Sequence, residues 1–203
     1  SAAYRVRIAL GLKGVDYEPV AVSLKPGDDE QRKDAYRAIN PQMLVPFLED
    51  GKLGIAQSMA ILEYLEEAYP SPSLMPESRE DRAVVRSFCN SICCDIHPLN
   101  NLRVLAYLQQ EFGVNDAQRD AWYGHWIHEG FRAAETVAER YGGPFVFGES
   151  VTLADACLIP QVYNARRFEV SLVAYPKIRA VEAHCNSLPE FTAAAPENQP
   201  DAP

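Results

Sequence analysis

The chain has 203 residues, 47% of them apolar, with 28 acidic and 19 basic side chains that leave a formal charge of −9. That length fits one large domain or two small ones. The basic residues gather into no long run, which argues against nucleic acid as a partner. No apolar run approaches the ~18 residues of a membrane span, and no basic segment followed by an apolar stretch marks an export signal.

An opening helix is predicted over Ala2–Lys13, with Gly14 as its stop. Tyr17–Val22 is strand-like, Lys25–Glu30 is a charged loop, and a short helix is predicted over Gln31–Ala38. Asn40–Pro46 reads as a loop closing on proline. Phe47–Glu49 and Leu53–Ala56, joined by a turn at Asp50-Gly51, read as a β-hairpin. Gln57-Ser58 then introduces an amphipathic helix whose Ile61, Leu62, Leu65 and Ala68 recur at helical spacing. A right-handed βαβ crossover needs a strand before its helix. The opening helix therefore reads as the second element of a unit whose first strand is expected upstream of Ser1.

Pro70, Pro72 and Pro76 punctuate a polar stretch, and the predicted domain division follows from it: 1–72, a linker over 73–79, and 80–203. Everything beyond reads as helical. One long helix is predicted over Arg79–Gln110, bent where Pro98 removes an internal hydrogen bond. Others are predicted over Asp116–Arg140, from Thr152 to Phe168, and over Pro176–Leu188, with an irregular tail from Pro196. Thr152 and Asp155 have capping-box spacing. The cysteines, Cys89, Cys93, Cys94, Cys157 and Cys185, are odd in number and form no CxxC pair. Reduced thiols in a cytoplasmic protein follow from that pattern. Cys89 and Cys93 stand one helical turn apart, but no metal-ligand cluster is read from the sequence.

An α/β unit of about seventy residues, a proline-rich linker and a helical remainder resemble a glutathione transferase, with a thioredoxin-like first domain and an all-α second one. Val45-Pro46, Gln57-Ser58 before a helix, and Thr152-x-x-Asp155 stand in that family's order. The opening Ser1-Ala-Ala-Tyr-Arg-Val-Arg-Ile resembles the zeta-class signature. Asp95-Ile-His-Pro-Leu-Asn-Asn-Leu-Arg103, Pro160-Gln-Val-Tyr-Asn-Ala-Arg-Arg-Phe168 and Glu197-Asn-Gln-Pro-Asp201 look like the bacterial maleylacetoacetate isomerase branch of that class.

The resemblance implies glutathione as a recycled cofactor that supplies the thiol. Ser1 matches the second of two serines in the signature, and the first, credited in the family with activating the thiol, is expected one residue upstream. A helix N-terminus lowers a thiol pKa, and Ser1 could equally be a plain helix cap. The resemblance further implies a cis Pro46 that turns Val45 toward the tripeptide backbone, in the manner of an added strand. It implies that Gln57 and Ser58 hold the γ-glutamyl end. Read from residues alone, Ser58 is an N-cap that can also receive a carboxylate.

A dicarboxylate substrate needs cations, and arginine offers the better fork. Arg5, Arg103 and Arg167 are the candidates, with Arg167 matching the family's Asn-Ala-x-Arg-Phe and Arg5 also able to tie its helix to carboxylates. His97, beside Pro98, is a candidate acid or base, or a structural histidine. Asp155 reads as structural.

The implied reaction is cis–trans isomerisation of maleylacetoacetate to fumarylacetoacetate in tyrosine and phenylalanine (homogentisate) catabolism, by a homodimer. Maleylpyruvate isomerisation, glutathione transfer to α-haloacids, and a non-enzymatic glutathione-fold binding module are the alternatives.

Overall fold

Helix α1 covers Ala2–Leu12 and buries Tyr4, Val6, Ile8, Ala9 and Leu10. This computed structural model describes residues 1–202 and divides into two units. One unit runs over Ala2–Ser73 and takes in the tail from Pro189; the other holds Ser1 and Leu74–Leu188.

In the unit containing α1, the first helix packs against α3 (Ser58–Ala68), which presents Ile61, Leu62 and Leu65 as a fully buried stripe. Lys13, just past α1, is drawn inward. Its Nζ lies 2.8 Å from Glu66 Oε2 and donates to the carbonyls of Tyr69 (2.6 Å) and Pro72 (2.9 Å). A buried charge is tolerated when it is paired and fully hydrogen-bonded, so this cluster locks the two helix ends together.

Between α1 and α3 come a 3₁₀ turn (Glu30–Arg32), α2 (Asp34–Ile39), and the antiparallel hairpin β1 (Phe47–Asp50) and β2 (Leu53–Ala56). Phe47 faces Ala56, and Leu48 faces Ile55. The tail returns as α9 (Pro189–Ala193) onto α1. There Tyr4 donates its hydroxyl to the Phe191 carbonyl at 3.0 Å, and Arg7 Nε donates to the Ala194 carbonyl at 2.9 Å.

Three elements of this unit differ from expectation. Tyr17–Val22 forms no strand among the described residues, and Val20 is 79% exposed. A strand exists only through ladder hydrogen bonds, and among the described residues the hairpin pairs only with itself. The helix expected over Gln31–Ala38 splits, because Lys33 is extended between the 3₁₀ turn and α2. The tail is also partly ordered, with a short 3₁₀ turn at Pro196–Asn198.

The other unit is helical. Helix α4 (Arg79–Asn90) starts at a Ser78 cap. The long helix expected to Gln110 is interrupted: a π-helical turn occupies Ser91–Ile96, turns follow over 97–100, and α5 (Leu102–Phe112) begins afresh with Asn101 as cap. Pro98 cannot donate, so the helix is broken there rather than bent.

Then follow α6 (Asp116–Tyr141), α7 (Leu153–Arg167) and α8 (Pro176–Cys185). Every residue of α7 from Leu153 to Val162 is buried, as expected of a helix covered on all sides. Gly130 of α6 admits the Ile96 side chain against the helix backbone, where any Cβ would collide with it. The buried Glu135 carboxylate accepts from the N–H groups of Lys177 (2.6 Å) and Ile178 (2.9 Å), supplying α8 with a cap from another helix. No helix among the described residues is long and apolar enough to cross a membrane.

Candidate functional site

The loop before the hairpin is built by buried Asn40. Its Nδ2 donates to the Leu44 carbonyl at 2.7 Å and its Oδ1 accepts from the Gln42 N–H at 3.1 Å. The Tyr36 hydroxyl donates to the same carbonyl at 2.7 Å. The chain is thus fixed just ahead of Val45-Pro46, whose peptide bond is cis. Among the described residues, neither the N–H nor the C=O of Val45 has a partner. Main-chain groups left open beside a short sheet are what an extended peptide needs to add itself as a strand.

Gln57 occupies the cap position of α3 with φ of 73°, a conformation rare for any residue but glycine. Its Nε2 donates to Gln42 Oε1 at 2.6 Å. Ser58 is the first helical residue, not the cap its sequence position suggested, and it is buried. Its hydroxyl oxygen accepts from Arg5 Nη1 at 3.2 Å. Arg5 is 1% exposed, and its Nε and Nη2 are buried with no hydrogen-bond partner. Among the described residues Arg5 ties its helix to no carboxylate; it faces the N-terminal turn of α3. A positive head group beside a helix N-terminus, with donors unspent, is chemistry suited to an anion.

In the helical unit, Ser1 Oγ lies 2.7 Å from His97 Nδ1. His97 follows the π-helical turn directly, with its N–H bonded to the Ile92 carbonyl at 3.0 Å, so the wide turn sets where the ring begins. Arg103 is exposed on the first turn of α5, and Arg167 is exposed on the last turn of α7. The Arg167 guanidinium carbon stands 5.5 Å from the Phe168 ring centroid. Phe168 in turn stacks on Tyr123, with centroids 3.7 Å apart and planes within 10°. Burial pushes the Tyr123 phenol up to about 12, against the pull of Arg167.

Neighbouring Arg166 is already engaged, 2.7 Å from Glu182. Neither Arg103 nor Arg167 forms an ion pair among the described residues. In a protein of net charge −9, two uncommitted guanidiniums are candidates for carboxylate binding.

Several supporting residues escaped the sequence reading: Asn40, Tyr36, Gln42 and Tyr123. Asn40-Pro41 signalled only a loop, and no local pattern tells that the Asn40 amide and the Tyr36 hydroxyl share one carbonyl. The stacking of Tyr123 on Phe168 joins residues 45 positions apart.

Comparison with known proteins gives these features a context. Residues 2–73 match the family model of the glutathione S-transferase N-terminal domain. The chain is 46% identical to a probable maleylacetoacetate isomerase of Vibrio cholerae, across 100% of this chain and 94% of the relative. A structure described as the holo form of maleylpyruvate isomerase, a bacterial zeta-class glutathione transferase, superposes with a TM-score of 0.96 at 49% identity, covering 100% and 95% of the two chains. The maleylacetoacetate isomerase of Methylobacterium extorquens AM1, solved with malonate and glutathione bound, gives 0.94 at 38% identity over 100% and 95%. A thioredoxin-like first domain followed by a helical domain is the architecture of that family, and the chain belongs to the zeta class of the glutathione transferases.

Proposed function

We propose that the chain is a glutathione-dependent cis–trans isomerase that converts maleylacetoacetate to fumarylacetoacetate. The observation that carries this reading is full-length similarity, at 46% identity, to a probable maleylacetoacetate isomerase, joined to a cofactor half-site built from this chain's own residues. Those residues fit glutathione: the open main chain of Val45 suits a peptide backbone, and the orphaned donors of Arg5 beside Ser58 suit a carboxylate environment.

When bound, glutathione would supply the nucleophilic thiol for reversible addition to the conjugated double bond. The chain's own groups do the rest. Val45 offers one N–H and one C=O to an extended backbone. Ser58, at the first turn of α3, holds a carboxylate with the help of the helix N-terminus, and Gln57 adds an amide. Ser1 and His97 form a hydroxyl–imidazole pair that shares one proton between Oγ and Nδ1. Arg167, oriented by the Phe168 ring, and Arg103 hold the substrate carboxylates and favour the form in which negative charge has built up.

Maleylpyruvate is the second reading, favoured by the 49% identity to a maleylpyruvate isomerase structure. The two acids share the reacting double bond and differ in length. Parallel assays on both decide between them: higher kcat/KM for maleylacetoacetate upholds the proposal, and the reverse order replaces it.

We also infer a cytoplasmic homodimer. Five cysteines, odd in number and with no CxxC pair, suit a reducing compartment, and the dimer follows from the family. Light scattering of the purified protein tests it, and a mass of one chain would refute the dimer.

A further inference from the structure

Sequence spacing paired Cys89 with Cys93, but the structure pairs Cys93 with Cys157: the two Sγ atoms are 3.8 Å apart. Cys93 lies in the π-helical turn Ser91–Ile96 and Cys157 lies in the middle of α7. The two differ in access, Cys93 being half-buried and Cys157 fully buried. Burial alone accounts for Cys157 as a small apolar residue of the core. It does not account for a second, more exposed thiol in contact with it.

We propose that Cys93 and Cys157 form a dithiol–disulfide couple that exchanges with low-molecular-weight disulfides. Oxidation would be a covalent modification that fastens the π-helical turn to α7, four residues before His97.

A disulfide bond spans about 2.05 Å, so the sulfurs must approach by roughly 2 Å, a distance within reach of side-chain rotation on packed elements. The steps balance with glutathione disulfide as oxidant. Cys93 loses its proton and its thiolate attacks one sulfur of glutathione disulfide. That S–S bond breaks, and one glutathione leaves as thiolate and takes up a proton. Cys157 then loses its proton and attacks the Cys93 sulfur of the mixed disulfide, releasing the second glutathione in the same way. Two protein thiols are oxidised and one glutathione disulfide is reduced to two thiols.

The other cysteines compete poorly or differently. Cys185 is fully buried and burial pushes its thiol up, with the Asp155 charge adding to the effect. Cys94 is exposed, so it is the natural competitor for the first step and the control for the second. The proposal is independent of the isomerase reading, since its readout is covalent structure and not turnover.

The test treats the full-length protein with glutathione disulfide, alkylates the remaining thiols after denaturation, and maps peptides by mass spectrometry before and after reduction. The expected result is a Cys93–Cys157 linked peptide, lost on reduction. Cys93→Ser should leave Cys157 as a free thiol, and Cys157→Ala should stop the reaction at glutathione on Cys93. A wild-type map with a stable glutathione adduct on Cys93 or Cys94 and an alkylated Cys157 would overturn the proposal, as would a link from Cys94. The wild-type map decides even if a variant fails to fold.

Discussion

Arg5 donates through Nη1 to the Ser58 hydroxyl oxygen across 3.2 Å, and its Nε and Nη2 have no partner although the side chain is buried. The hydroxyl oxygen that takes this bond leaves its own proton to donate outward. The guanidinium thereby orients Ser58 as a donor at the start of α3.

Removing that oxygen should be felt twice. Ser58→Ala strands a third buried guanidinium nitrogen, at a cost of ~1–3 kcal/mol. It also removes a donor from the proposed glutathione site, which should weaken glutathione binding roughly tenfold. Ser58→Thr keeps the hydroxyl and should restore most of the affinity. Calorimetric titration and thermal melts of both variants check this; unchanged glutathione affinity in Ser58→Ala would contradict the role.

Arg167 and Arg166 are neighbours with opposite commitments, one unpaired over the Phe168 ring and one engaged with Glu182. Losing a charge-assisted hydrogen bond costs ~1.5–3 kcal/mol, so Arg167→Ala should lower kcat/KM for the dicarboxylate roughly ten- to hundredfold. Glutathione affinity should stay nearly constant. Arg166→Ala breaks an exposed pair, worth at most about 1 kcal/mol, and should leave turnover close to wild type. Steady-state kinetics separate the two, and equal losses in both variants would argue for a folding role.

At Gly130 the Ile96 side chain of the π-helical turn fills the space a Cβ would need. Gly130→Ala forces that turn away or distorts α6, at a cost of about 1–3 kcal/mol. A chain of this size should then melt several degrees lower. Because His97 follows the same turn, kcat should fall by more than the unfolded fraction explains. A variant as stable as wild type would show that the contact is not needed.

Asp155 accepts from the Val146 N–H (2.8 Å), the Thr152 N–H (2.8 Å) and the Thr152 hydroxyl (3.1 Å). Burial still dominates, pushing its carboxyl up to about 6 from an ordinary 3.8. A carboxyl that binds its proton more tightly folded than unfolded makes stability decline as pH rises through the interval between those values. That interval is worth about 3 kcal/mol. Asp155→Asn carries no such titration, so the stability of wild type relative to the variant should fall between about pH 4 and pH 6. Denaturant melts across that range check the sign; a difference that grows with pH would refute it.

Much of this was legible in the chain itself. The hairpin, α3 with its buried Ile61, Leu62 and Leu65, and the Thr152–Asp155 box are set by local spacing and local hydrogen bonds, which sequence displays directly. The strand expected at Tyr17–Val22 was not realised, because a strand depends on a partner that its own residues do not encode. The π-helical turn was invisible as well: Ser91–Ile96 reads as ordinary helix until Gly130 and Ile96 are seen to interlock. Side-chain pairings over long separations were equally hidden, among them Ser1 with His97 and Cys93 with Cys157. Their residue types were recognisable as chemistry, but not their partners.

The most direct test is turnover itself. Maleylacetoacetate is mixed with purified protein, with and without glutathione, and the trans product is followed together with total glutathione. Rapid formation of fumarylacetoacetate that requires glutathione and consumes none of it is the predicted result. Product formation without glutathione, stoichiometric loss of glutathione, or no reaction in its presence would contradict the assignment.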